Sequence, residues 1–303
     1  MQYIIPHLWY DGAAEEAART YVALFPNARL GRSARYSEVG QEDHGQPAGS
    51  LMFQEFEIAG TRLNALNGGP RFSFTPAISL FVTLPDRAAI DALWGGLIEG
   101  GETLMPLDTY PWSERYGWLA DRWGLNWQIC LGDPARSGRA VAPLLSFAGP
   151  RAGEAEAAVR DWVALFPNSA IEGFARYGEN GLAAPVEGAR GVAHGQFTLM
   201  GETFMVMDAF GAHDWDFNEA ISLFVRCSDQ AEIDRLWSAM SAVPESEACG
   251  WLKDRYGISW QITPDSVLRM LGDTDQERAD RVMAAFHKMK KVDVAALEAA
   301  YAR

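Results

Sequence analysis

The sequence predicts an α+β protein made of two copies of one unit and closed by a helical tail. Three observations carry that prediction. First, VALFPN at 22–27 returns at 163–168, FTPAISLFV at 74–82 is answered by FNEAISLFV at 217–225, and GWLADRWGLNWQI at 117–129 by GWLKDRYGISWQI at 250–262. The order is the same in both halves, so a unit of roughly 130 residues has been duplicated, far longer than a solenoid repeat. Second, each copy alternates short β-rich runs with helical spacing. Third, residues 265–303 have no counterpart after the first copy. The predicted units are 1–136, 140–264 and the tail 265–303, with DPARSGRA as a linker rich in turn residues.

The elements of the first copy follow in order. IIPHLWY is a short strand. Ala14, Ala17, Ala18, Tyr21 and Phe25 fall at helical spacing in the next segment, and Pro26 with Asn27 stops that helix. LGRSARYSEV, SLMFQEFEIAG and TRLNALN read as strands. The cycle then restarts with AISLFVTL. Asp86 caps the next helix, which runs out in the glycines of GGLIEGG, and strands near 103–107 and 125–131 close the copy. Each copy is therefore two strand–helix–strands modules in series, for which an α+β architecture with strongly curved sheets is the natural packing. GGETLMPLDTYPWSERY has no full counterpart in the second copy and reads as an insertion able to cover a cleft. In the tail, Val282, Phe286 and Met289 share a helical face, and Asp293 caps VAALEAAYA. Such a tail needs a surface to cover.

Composition excludes several classes of function. Of 303 residues, 48% are hydrophobic and 22% charged, ordinary for a globular chain. The balance of 26 Lys+Arg against 40 Asp+Glu gives a net charge of −14, which removes the driving force for a nucleic-acid or anionic-membrane partner. Cys130, Cys227 and Cys249 are too few for a disulfide framework, and no apolar run reaches the length of a membrane span. A cytoplasmic location is expected.

Taken together, the strand before DGAAEEA, the helix ending in FPN, AISLFV and DRxGxxWQI resemble one family. The chain resembles the PhnB-like branch of the vicinal-oxygen-chelate superfamily, which holds glyoxalase I, bleomycin-resistance proteins and extradiol dioxygenases. That branch is labelled 3-demethylubiquinone-9 3-methyltransferase. The resemblance covers both copies and the tail. It implies two glyoxalase-like domains, each of paired βαβββ modules curling around a cleft. Small relatives pair as dimers that share clefts between chains. The duplication is expected to satisfy that pairing internally, as a pseudo-dimer in a monomer or weak homodimer.

The resemblance also implies where metal ligands fall. The first-strand His falls on Pro6 and Pro143, and the second-module His on Ala77 and Ala220. The last-strand carboxylate falls on Gln128 and Gln261. The fourth position falls on Asn64 or Asn67 in the first copy, and on Met205 or Asp208 in the second. Two of four ligands thus lack donor atoms in each copy, and a divalent metal is not expected. His7 enters only if the strand register shifts by one residue. His44, His194, His213 and His287 show no ligand spacing. The link DGAAEEA lacks the glycine fingerprint of a nucleotide or S-adenosylmethionine site, so no organic cofactor is expected either.

An unidentified small molecule, partly apolar, is the expected partner. The candidate ligand-binding residues are Gln128, Trp127, Trp112, Tyr110, Ser79 and Asn67 from the first copy, with Gln261, Ser222 and Asp208 from the second. No catalytic residue is assigned. The alternative implied by the resemblance is an enzyme of glyoxalase, isomerase, dioxygenase or methyltransferase type. Glu55 and Glu57 alternate with Phe56 and Ile58 and are expected on a solvated face.

Overall fold

The structure, a computed structural model, describes residues 2–179 and 182–303; the side chains of Asp43 and His44 lie outside this description. The first copy contributes β1 (Ile4–Tyr10), α1 (Ala14–Leu24), β2 (Arg29–Arg35), a one-turn α2 (Gln41–His44), β3 (Leu51–Ile58) and β4 (Thr61–Asn67) as its first module. Its second module holds β5 (Ile78–Leu84), α3 (Arg87–Leu97), β6 (Glu102–Tyr110), β7 (Ser113–Ala120) and β8 (Asn126–Leu131). The second copy repeats this with β9 (Val141–Ala148), α4 (Ala155–Leu165), β10 (Ala170–Arg176), β11 (Val192–Leu199) and β12 (Glu202–Ala209), then β13 (Ile221–Cys227), α5 (Gln230–Met240), β14 (Trp251–Lys253) and β15 (Ser259–Pro264). The tail forms α6 (Asp265–Leu271), α7 (Gln276–Phe286) and α8 (Val294–Ala302).

Local chemistry sets these boundaries. Asp86 and Asp293 accept from the backbone N–H three residues on and cap α3 and α8. Asn27 and Asn168 take positive φ and end the helices of the FPN motifs. The β3–β4 and β11–β12 hairpins turn through Ala59-Gly60 and Met200-Gly201, each with two positive φ angles, the geometry that matches the twist of paired strands. The segment read as an insertion is a long β6–β7 hairpin, and β7 is a strand the periodicity did not reveal.

The modules pair across the copies. One sheet, sheet A, has the order β14-β15-β13-β1-β4-β3-β2; the other, sheet B, has β10-β11-β12-β9-β5-β8-β7-β6. β1 runs antiparallel to β13, and β5 antiparallel to β9, so each sheet joins one module from each copy. The expected module pairing is present, but no copy wraps a sheet of its own. Within a copy the two modules meet instead through their helices.

The convex faces carry the core. α1 packs on β2–β4 and α5 on β13–β15 of sheet A, while α3 and α4 pack on sheet B. Between them sits the DRxGxxW motif. Asp121 Oδ1 accepts from Trp123 N and Leu125 N, and Oδ2 from Trp127 Nε1 (2.9 Å) and Tyr21 OH (2.7 Å). Asp254 repeats the knot with Tyr256 N, Ile258 N, Trp260 Nε1 and Trp162 Nε1. Burial pushes both carboxyl groups above their usual range, and these hydrogen bonds hold the shift back. The motif therefore ties a turn to a buried indole and to the first helix of its copy. Trp127 is fully buried against Tyr21 and Phe25, so it leaves the set of ligand candidates.

Asn67 and Asp208 leave it too, because they end their strands on the convex side. Asn67 accepts from Ala14 N, opening α1, and donates to Leu51 O. Asp208 accepts from Gly153 N, Ala155 N and Val192 N, opening α4. They do the same work in the two copies, satisfying the N–H groups a helix start leaves over.

Candidate functional site

Strand alternation sends the other half of the side chains to the concave faces. On β1 the core side takes Ile4, Leu8 and Tyr10. The concave side therefore takes Ile5, His7 and Trp9. This corrects the ligand register: His7, not Pro6, occupies the inward first-strand position. In the second module the inward residues are Ser79 and Ser222, not Ala77 and Ala220, which precede their strands.

On sheet A the inward residues meet. His7 Nδ1 lies 3.1 Å from Gln261 Nε2, and His7 Nε2 lies 2.5 Å from the Asn64 amide. Gln261 also donates to Ser222 Oγ at 2.8 Å. The imidazole stacks on Phe224 at 4.9 Å. Burial lowers its pKa to about 3, so His7 is a neutral imidazole with one donor and one acceptor nitrogen. The tail lies over part of this face: Met283 and Leu271 pack with Phe53, Tyr36 and Leu66, and Asp265 pairs with Arg226. Cys249 N and Gly250 N donate to Met289 O and Lys290 O, fastening the far end.

On sheet B the corresponding positions are Leu144, Met205, Ser79 and Gln128. Gln128 donates to Ser79 Oγ at 3.0 Å and accepts from Tyr116 OH at 2.8 Å. Tyr110, Trp112 and Tyr116 form an aromatic cluster with ring centroids 5.1–5.7 Å apart, and Trp112 is 54% exposed. The sheet is tightly curled. β5 and β11 are three strands apart, about 14 Å in a flat sheet, yet the rings of Phe81 and His194 sit 5.6 Å apart. Burial, then Cys130, Tyr110 and Tyr177, push the Tyr116 phenol up; burial lowers His194. Phe81, Met105, Tyr110, Trp118, His194 and Gln196 stay part-exposed. The Ser146 hydroxyl, on the inward side of β9, is buried and lacks a hydrogen-bond partner among the described residues.

The two Ser–Gln pairs among the sequence candidates are thus brought together, one on each concave face. Tyr110 and Trp112 join the sheet B pair through Tyr116. Sequence reasoning missed Phe81, His194 and Ser146 as inward residues. Their common signal is alternation with core residues, legible only once the pairing across copies is known. Glu55 and Glu57 are also corrected: they face the concave side of sheet A, where Glu55 is buried and paired with Arg32.

Neither inward set holds a carboxylate or a thiolate. Sheet A offers one imidazole, two amides and a hydroxyl; sheet B offers an amide, a hydroxyl and two side chains without strong donors. Among the described residues no three His, Cys, Asp or Glu side chains gather as a metal-binding group. No helix among them is long and apolar enough to cross a membrane.

The model of one protein family, described as 3-demethylubiquinone-9 3-methyltransferase, matches twice, over residues 2–130 and 139–263. A solved structure from Bacillus cereus, described as a putative 3-demethylubiquinone-9 3-methyltransferase and PhnB protein, is similar at 34% identity; the match covers 43% of this chain and 100% of that one, with a TM-score of 0.40. Protein PA1353 from Pseudomonas aeruginosa is similar at 23% identity over 43% of this chain and 98% of its own, with a TM-score of 0.36. Glyoxalase I from Zea mays is similar at 8% identity over 85% of this chain and 92% of its own, with a TM-score of 0.48. No curated protein matches.

Proposed function

The chain belongs to the 3-demethylubiquinone-9 3-methyltransferase family, and from that premise we propose that it binds a small, partly apolar molecule on the concave face of sheet B without a bound metal. One observation carries this reading: a part-exposed aromatic wall surrounds a short polar chain, Tyr116–Gln128–Ser79. The wall supplies apolar contact, and the chain supplies a fixed amide able to orient a carbonyl or hydroxyl. The inward positions assigned here on sheet B carry neither Lys nor Arg, which favours an uncharged ligand. Sheet A has the same Ser–Gln pair, but there it is spent on His7.

The family's label names a methyltransferase. The β1–α1 link, Asp11-Gly12-Ala13, does not fit the glycine-rich turn of the common methyl-donor fold, and no methyl-transfer step is assigned to this chain.

A thermal-shift screen of uncharged planar aromatic alcohols and quinones, 1-naphthol and 1,4-naphthoquinone among them, tests the reading. A ligand that prefers the folded state raises Tm. The expected result is a hit whose shift shrinks strongly in Gln128→Ala and persists in Gln261→Ala. A hit indifferent to Gln128→Ala and to Tyr116→Phe would sink the proposal.

A further inference from the structure

The duplication supplies an internal control for every position, and at one place the two sheets differ in kind. Arg29, Arg32, Glu55, Glu57, Arg62 and Arg226 of sheet A correspond to Ala170, Gly173, Gln196, Thr198, Thr203 and Thr83 of sheet B, as the matching strand pairings fix. Asp265, next in the chain after β15, corresponds to Gly132. Seven charges on one sheet thus face seven neutral positions on the other. They line a pocket of about 410 Å³ at the β2–β4 side of the sheet A concave face.

The charges do not cancel. Arg29 pairs with Glu57 at 2.7 Å. Arg32 holds Glu55 through Nε and Nη2, at 3.0 and 2.6 Å. Arg226 holds Asp265 and donates to Gln2 O at 3.0 Å. Every acid in the pocket is taken, and the Arg62 guanidinium is left without a polar partner among the described residues. Arg62 stands directly across the strand pair from Glu57, whose carboxylate has gone to Arg29 instead. Arg29 is largely exposed and its pair with Glu57 adds little to stability, whereas Glu55 and Arg226 are mostly buried in theirs. A half-buried guanidinium with five free donors is the group that recognises planar or tetrahedral oxyanions through paired hydrogen bonds.

We propose that this pocket is a binding site for a compact oxyanion, a phosphate or carboxylate group, with Arg62 as the recognising cation. Arg29, Arg32 and Arg226 are each paired with an acid, so the net positive charge of the pocket is that of Arg62. The site is separate from the sheet B face and takes a ligand of opposite character.

Phosphate binding to the full chain, followed by ³¹P line broadening and by calorimetry at constant ionic strength, tests the proposal. Inorganic phosphate and acetate are the probes, with chloride as the control. The expected result is saturable binding that weakens at least tenfold in Arg62→Gln, is partly kept in Arg62→Lys, and is unchanged in Gln128→Ala. Phosphate saturation with acetate competing assigns a general oxyanion site; saturation without competition assigns a phosphate site. Equal binding by wild type and Arg62→Gln, where circular dichroism shows both folded, would overturn it. So would an effect that chloride reproduces.

Discussion

The two concave faces descend from one sequence unit, yet they use the same Ser–Gln pair differently. On sheet A the first-strand position is His7, whose imidazole consumes the Gln261 amide, and the tail lies across Phe53 and Leu66. On sheet B the same position is Leu144, which asks nothing of Gln128, and the amide turns to Tyr116. A single strand residue and one appended tail thus distinguish the two faces. The difference teaches that after a duplication one changed strand residue can redirect the hydrogen bonds of an otherwise repeated polar pair.

What the copies share is the place of largest expected loss. Asp121→Ala and Asp254→Ala each strand two buried backbone N–H groups along with one or two indole donors. Each is expected to cost about 3–5 kcal/mol in urea unfolding. A loss confined to one copy would break the equivalence of the two knots.

Truncation after Pro264 attacks the difference. It removes Met283 and Leu271 from the sheet A face and leaves Phe53 and Leu66 open. The expected outcome is dye binding by newly exposed apolar surface and a rise of the His7 pKa from about 3 toward its ordinary value, read by imidazole NMR. The indole signals of Trp112 and Trp118 on sheet B should not move.

His7 also gives the faces different pH behaviour. Its folded pKa lies below the unfolded value of 6.5, so the unfolded chain binds the proton more readily. The stability tied to neutral His7 is therefore present above pH 6.5 and is lost as pH falls toward 3, at up to about 1.4 kcal/mol per pH unit. His7→Leu, which copies the sheet B residue, should flatten that part of the profile relative to wild type. An unchanged slope would mean His7 is not the group involved.

The smallest effect separates the helix pairs. A Cβ on Gly96 would meet Leu24 Cδ2 at 2.2 Å, whereas the equivalent residue on α5 is already Ala239. Gly96→Ala is expected to cost about 1–3 kcal/mol through overpacking. Ala239→Gly should cost about 1 kcal/mol through helix propensity alone.

Much of this was legible in the chain. The repeats gave the copies, AISLFV and IIPHLWY gave the strands, and Asp86 and Asp293 announced their helices. Ser79, Gln128, Ser222 and Gln261 stood out singly as polar side chains in apolar strands, and the structure joins them into two pairs. Three things were hidden. Whether a strand's odd or even residues face inward depends on which side its helix packs, so His7 and Pro6 were exchanged. Asn67 and Asp208 looked like donors for a ligand because the N–H groups they satisfy lie 16–55 residues away. That no copy wraps a sheet of its own depends on long-range strand edges that no local pattern encodes.

The central claim is that the small, partly apolar ligand is received on the concave face of sheet B and not on that of sheet A. The direct measurement is a ¹⁵N-indole NMR titration of the full chain with the best hit of the aromatic screen. Trp112 and Trp118 report on sheet B, and Trp9 and Trp251 on sheet A. The account predicts shifts at Trp112 and Trp118 that saturate while Trp9 and Trp251 stay fixed. Shifts at Trp9 and Trp251, with Trp112 and Trp118 unmoved, would contradict it.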